Sequence, residues 1–195
     1  MRAAGLLAGV LFALAPSWAL GAQWGLSAEI GVARFGGTGR DSSGARVGPY
    51  RPTTFAVRAE RTLGSSRVSL AVMYARTGIA GEQGDVAVVF YDAASLVEFA
   101  PELSIRLARF GAGLAARVEG GPAVDVWEIE GVSRTRVGAR GGIALEWPLG
   151  GRFTGSLRAT GVVSPSVINT GETPGGVERS STRRGGVSIG VGYRL

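Results

Sequence analysis

The chain has 195 residues, enough for one domain plus a processed leader, and a formal charge of +6 at pH 7. It contains no cysteine and no histidine, which excludes a disulfide frame, thiolate chemistry, and the commonest general base and transition-metal ligand. All 21 basic residues are arginines scattered singly, so no basic patch for nucleic acid forms, and the 33 glycines, over twice the usual share, follow no collagen-like period.

Met1 and Arg2 make a short positive start, Ala3 to Leu14 is an apolar core, and small residues follow at Ala19, Gly21 and Ala22. This is the layout of a cleaved export signal over residues 1–22, with the mature chain beginning near Leu20 or Gln23. A helical membrane span needs about 20 predominantly apolar residues, more than this stretch supplies. Charged residues interrupt every apolar run after Gln23. If residues 23–195 form a membrane-embedded domain, it must be a closed β-barrel, because lipid tolerates no open sheet edge.

The first strand places Trp24, Leu26, Ala28, Ile30 and Val32 on one face, with Ser27, Glu29, Gly31 and Ala33 on the other. Gly36 to Tyr50 is a polar, glycine-rich loop. A second strand, about Thr53 to Leu63, sets Phe55, Val57, Ala59 and Leu63 against Arg58, Glu60 and Thr62, and Gly64-Ser65-Ser66 is a tight turn. The third, about Arg67 to Thr77, sets Val68, Leu70, Val72 and Tyr74 against Ser69, Ala71 and Met73. A longer connection is expected over 79–95, although Val88-Val89-Phe90-Tyr91 is apolar on both faces and fits a strand projecting past the membrane.

From Leu96 the fourth strand sets Val97, Phe99, Leu103, Ile105 and Leu107 against Glu98, Glu102, Ser104 and Arg106. Pro101 has no N–H, which predicts a bulge or an unpaired site there. A turn at Arg109-Phe110 leads to a fifth strand with Ala112, Leu114, Ala116 and Val118 opposite Arg117 and Glu119. After a loop over 128–133, the sixth sets Val137, Ala139, Ile143, Leu145 and Trp147 against Arg136, Arg140 and Glu146. Pro148 to Gly151 is a tight turn, and the seventh strand sets Phe153, Leu157, Ala159 and Val163 against Thr154, Ser156, Arg158 and Thr160. A polar loop over 165–182 precedes the eighth, in which Val187, Ile189, Val191, Tyr193 and Leu195 alternate with Ser188, Gly190, Gly192 and Arg194.

Eight strands with alternating short and long connections predict an all-β, eight-stranded antiparallel up-and-down transmembrane barrel with short periplasmic turns and long extracellular loops. A soluble lipocalin-like barrel has the same strand number with its apolar face inward. Three features favour the membrane form. The charged face is otherwise small, as a narrow lumen requires. Its charges nearly match: Glu29, Glu60, Glu98, Glu102, Glu119 and Glu146 against Arg58, Arg106, Arg117, Arg136, Arg140, Arg158 and Arg194. The other face lacks charge in its strand centres, where an arginine costs about 2–4 kcal/mol in lipid; Arg61 and Arg76 lie near strand ends. Finally, Trp24, Phe110, Trp147, Phe153 and Tyr193 gather at the short-turn end as an aromatic girdle, with Phe35, Phe55, Tyr74 and Phe99 toward the loop end.

In architecture, leader and the terminal Val-Ser-Ile-Gly-Val-Gly-Tyr-Arg-Leu, the chain from Trp24 to Leu195 resembles the OmpA/OmpX-like and opacity-like eight-stranded outer-membrane barrels of Gram-negative bacteria. It departs in ending on Leu195, with Tyr193 two residues before, where the group usually ends on an aromatic. The resemblance implies an outer-membrane location and recognition of the last strand by the barrel-assembly machinery. Family members serve as envelope stabilisers, adhesins, small-solute pores or lipid-modifying enzymes, so fold alone does not choose the function.

An enzymatic reading fits poorly, because the lipid-modifying relatives use a histidine that this chain lacks. Glu98 and Glu102 share a face, but about 13–14 Å of strand separates them, which favours salt bridging over joint acid–base work. Gly36-Gly37-Thr38-Gly39 lacks the Lys-Ser/Thr of a phosphate loop. Glu82, Asp85 and Asp92 match no calcium-loop spacing. No cofactor or metal is expected. Arg179, Arg183 and Arg184, where the last loop enters the barrel, are either lipopolysaccharide contacts or an exposed rim.

The expectation is therefore a monomeric, non-enzymatic outer-membrane barrel whose lumen is filled by an Arg/Glu network. Its partners are outer-membrane lipid and lipopolysaccharide, with no nucleic acid, and its loops serve envelope integrity or surface interaction. A narrow pore for ions or small polar solutes, with arginine excess favouring anions, is the first alternative. A soluble periplasmic binding barrel is the second. Within the lumen, Glu29 and Glu146 are the candidate partners of Arg194.

Overall fold

The computed structural model describes residues 23–36, 39–40, 46–50, 52–83, 86–129, 131–167, 178–179 and 181–195. The leader expected over residues 1–22 lies outside them. Eight main strands make the wall: β1 Trp24–Gly36, β2 Thr53–Leu63, β3 Ser66–Gln83, β4 Val86–Phe110, β5 Leu114–Ile129, β6 Val132–Gly150, β7 Phe153–Ser164 and β8 Thr182–Arg194. Short strands Gly39–Arg40, Arg46–Tyr50 and Glu178–Arg179 add to the sheet at the loop end, where Arg46–Tyr50 pairs with β3.

Each main strand pairs antiparallel with its sequence neighbours, and β1 pairs with both β2 and β8, so the sheet closes on itself. Ile30 stands opposite Phe55 on one side and Ile189 on the other. Closure explains why the terminal alternation does not fray. The Leu195 N–H donates to the Trp24 carbonyl at 2.9 Å and the Arg194 N–H to the Arg152 carbonyl at 3.0 Å.

Strand parity decides which residues face outward. Leu26, Val57, Ile143 and Ile189 are 52–60% exposed on the outer wall, whereas Ala71, Ala75, Ala100, Ala123 and Ala144 are buried inside. This is the inverse of a soluble binding barrel. Of the short-turn girdle, Phe110, Phe153 and Tyr193 are exposed outward; Trp24 and Trp147 are half-buried on the same face. Trp24 stacks under the Arg61 guanidinium, 5.9 Å from its ring centroid. At the loop end Phe55, Tyr74 and Phe99 are exposed, but Phe35 is not part of a girdle. It turns inward against Trp127, because its odd parity in β1 is that of Glu29 and Ala33.

Glycine allows close approaches in this wall, as at Gly31 and Gly155. A Cβ on Gly31 would lie 2.5 Å from the Val187 carbonyl oxygen, and one on Gly155 would lie 2.5 Å from the Trp147 indole. The tight turns occupy Gly64–Ser65, Gly111–Gly113 and Gly151–Arg152.

Three connections differ from the sequence expectation. The long strand expected to carry the two-sided apolar run is present as β4, and β3 and β4 remain paired through Gln83 and Val86 with a register shift between Thr77 and Ile79, so the connection expected over 79–95 is mostly strand. Its two-sided apolar run suits a hairpin arm better than a loop. In the expected 128–133 loop, Glu128 pairs with Ser133 and Ile129 with Val132, so its two sides are strand. Arg109 and Phe110 belong to β4, and the turn begins only at Gly111. At Pro101 the missing N–H leaves a gap: β4 pairs with β5 up to Phe99 and resumes at Leu103 in the same register.

Barrel closure should make the folded protein run differently from a boiled sample on a cold detergent gel. Gly31→Val should lower the temperature of that conversion, since overpacking here costs about 1–3 kcal/mol; an unchanged conversion temperature would contradict the close β1–β8 contact.

Candidate functional site

The lumen is built from inward positions of all eight strands, and its chemistry is layered. In the middle, one connected chain of ion pairs runs along the barrel. Arg58 of β2 pairs with Glu29 of β1 at 3.3 Å and with Glu102 of β4. Arg140 of β6 joins Glu102, 2.6 Å away, to Glu98. Arg184 of β8 continues from Glu98 to Asp125 of β5 at 3.4 Å. In the other direction Arg158 of β7 joins Glu29 at 3.0 Å to Glu119 and Glu146. Arg67 of β3 then joins Glu146 at 2.8 Å to Glu60 at 3.2 Å.

Hydroxyls fill remaining sites. Arg58 donates to Ser69 Oγ at 3.1 Å, and Ser188 Oγ donates to Glu29 at 3.0 Å. Glu98, Glu102, Arg58 and Arg158 are each 3% exposed or less. Such burial is tolerable because each charge has an opposite partner; an isolated ion here would face a large desolvation penalty.

Several expected network members sit elsewhere. Arg117 donates to Ser104 Oγ at 2.7 Å and to the Ser65 and Ser104 carbonyls at 3.2 Å. Arg136 donates to the Ser166 carbonyl at 2.7 Å. Arg106 and Arg194 form no ion pair with a described residue and line a cavity at the turn end. Glu29 and Glu146, the expected partners of Arg194, are taken by Arg58, Arg158 and Arg67.

Three members were missed: Arg67, Asp125 and Arg184. Strand parity carries the signal for all of them, since each is an even number of residues from an inward neighbour on its own strand (Ser69, Glu119 and Ser188). Arg184 is therefore corrected from a lipopolysaccharide contact to a lumen residue, 7% exposed. Arg183 faces outward and is exposed, and the Arg179 side chain lies outside the described residues.

At the loop end the charges give way to an apolar cap of Trp127, Leu96, Met73, Ala75 and Val167. Phe35 meets Trp127 edge-on at 5.4 Å and lies 5.6 Å from the Arg184 guanidinium carbon. The cap thus shields the last link of the charge chain. Chemically, the arrangement binds its own charges. Glu98 and Glu102 converge on the single Arg140 guanidinium, so these carboxylates act as bridging anions.

Glu98→Ala would strip Arg140 and Arg184 of a shared carboxylate and should destabilise the barrel by about 3–5 kcal/mol. Glu60→Ala, at the partly exposed end, should cost under about 1 kcal/mol. Urea titration of the protein refolded in vesicles measures both, and equal effects would contradict the layered burial.

No protein-family model matches the chain, and no curated protein sequence matches it. Among solved structures, Neisserial surface protein A (NspA) aligns with a TM-score of 0.59 at 13% identity, covering 90% of this chain and 100% of that one. The outer membrane protein OprG from Pseudomonas aeruginosa aligns with a TM-score of 0.54 at 10% identity, covering 89% and 95%. At such identities the likeness is one of fold, and the fold is that of the eight-stranded outer-membrane β-barrels.

Proposed function

We propose that the chain is a non-enzymatic, monomeric outer-membrane barrel whose lumen is sealed by its own charges and whose loop end serves envelope integrity or surface interaction. The observation that carries this reading is the continuous chain of ion pairs from Asp125 to Glu60, to which every main strand contributes a charged side chain. The cavity beside Glu29, Arg140 and Arg184 has a volume of about 40 Å³, room for only a few waters at the roughly 10–15 Å³ each needs. A hydrated ion passing that point must break ion pairs. The lack of histidine and the engagement of Glu98 and Glu102 by arginine support the non-enzymatic assignment.

The leader over residues 1–22 would carry the chain to export, and the closing strand β8 would be read by the barrel-assembly machinery. In the membrane, Arg183 and Arg34 stand exposed on adjacent strands near the loop end, with Arg183 opposite Gly36 and Arg34 opposite Gly185. Two guanidinium groups on a lipid-facing wall suit the phosphates of lipopolysaccharide. A second reading, a narrow anion-favouring pore, is supported by Arg106 and Arg194 at the turn-end mouth.

In planar bilayers the sealed barrel should give little or no steady conductance, and a large stable channel would overturn it. A small steady conductance with an anion-selective reversal potential would instead establish the second reading.

A further inference from the structure

Outside the charge chain, the turn end of the lumen opens into a cavity of about 290 Å³. Arg106, Arg109 and Arg194 line it, and none of the three forms an ion pair with a described residue. The two carboxylates in the same wall, Glu60 and Glu146, are already bridged by Arg67. The cavity therefore presents guanidinium groups without carboxylates to match them.

Two further features give the cavity the character of a site. Ser156 lines it, is 4% exposed, and its buried hydroxyl has no hydrogen-bond partner among the described residues. The Ser27 hydroxyl in the same wall is likewise unpartnered. Buried hydroxyls normally find partners, and these two stand in a pocket with surplus donors. The second feature is a register shift in β4. Arg106 stands opposite Arg117 and Ala108 opposite Ala116, so the bulge falls at Leu107. Unbroken alternation from Arg106 would point Arg109 toward lipid; the extra residue returns it to the lumen opposite Ala115.

We propose that this vestibule binds a phosphoryl group carried by a small solute entering from the turn end. Several guanidinium forks suit a multiply charged tetrahedral oxyanion better than a single carboxylate, and rotation of the unpartnered Ser27 and Ser156 hydroxyls in the cavity wall would add donors. The proposal does not depend on whether the lumen conducts, because it concerns the mouth alone.

The test is isothermal titration of the refolded full chain in uncharged maltoside micelles with inorganic phosphate, and separately with acetate. Phosphate should bind saturably at one site per chain and more tightly than acetate. Arg106→Gln/Arg109→Gln should weaken phosphate about tenfold or more. Ser156→Ala should weaken it less, and Arg76→Gln, exposed on the outer wall at the loop end, should leave it unchanged. Arg109→Lys, which keeps the charge, should recover part of the affinity, and cold-gel migration verifies that each variant is folded. Absent or non-saturable phosphate binding overturns the proposal. Acetate binding as tightly as phosphate, or equal affinity in the double variant, also overturns it. So does binding detected only with phosphatidylglycerol vesicles, since the occupant would then be a lipid headgroup.

Discussion

A guanidinium group enclosed by a protein wall whose outer face is apolar has only neighbouring side chains to neutralise it. That constraint organises this molecule. The outer wall leaves no place for charge in its strand centres, so strand parity delivers the arginines and glutamates of eight strands into one narrow space. There, pairing is required. Arg58, Arg140 and Arg158 each touch carboxylates from more than one strand, so the wall is braced across its interior as well as laced along its edges by backbone hydrogen bonds. Such bracing is worth less than its Coulomb energy suggests, because the desolvation of every partner opposes it. Its stronger effect is on specificity: a strand displaced by one residue would take its charges into lipid.

The layering along the lumen follows from the same rule. Where Trp127, Leu96 and Met73 fill the loop end, Arg134 and Arg136 donate to the Val167 and Ser166 carbonyls. Where Arg106 and Arg194 reach the turn end, water can enter and pairing is optional. Between these ends, small residues on the inner face leave room for long side chains to cross. Gly31 and Gly190 face Glu29 and its neighbours with no Cβ to obstruct them; at Gly190 a Cβ would lie 2.7 Å from the Glu29 side chain. The abundance of glycine is thus partly a matter of lumen width.

Much of this was legible in the sequence, for a physical reason: alternation is local, so parity within a strand needs no knowledge of its partners. The inward placement of Glu29, Arg58, Glu98 and Arg158 could be read directly from their neighbours. Arg184 was misread because its position beside a polar loop was given more weight than its parity with Ser188. Arg67 sits at the edge of a turn, and Asp125 lies beyond the Val118 and Glu119 that mark the fifth strand's alternation. Phe35 shows the opposite error, an aromatic assigned to the interface by its height when parity turns it toward Trp127. Cross-barrel partners were illegible, since Glu98 and Arg184 are 86 residues apart and nothing in either strand announces the other. The Leu107 bulge was equally hidden, because one inserted residue leaves no mark in the apolar pattern.

The position of Arg184 has a consequence for the order of assembly. It lies on β8, yet it supplies a cation to Glu98 and Asp125, which belong to β4 and β5, earlier in chain order. Until β8 docks, Asp125 has no cation from the central chain of ion pairs, and Glu98 has only Arg140. The open sheet must keep those carboxylates wet, with solvent in place of the missing guanidinium. Docking of β8 therefore does two things in one event: it removes the sheet's free edges and expels the water that held the acids. An intermediate lacking only its final strand would be both unsealed at the edge and hydrated at the centre, and for both reasons poorly suited to lie in lipid.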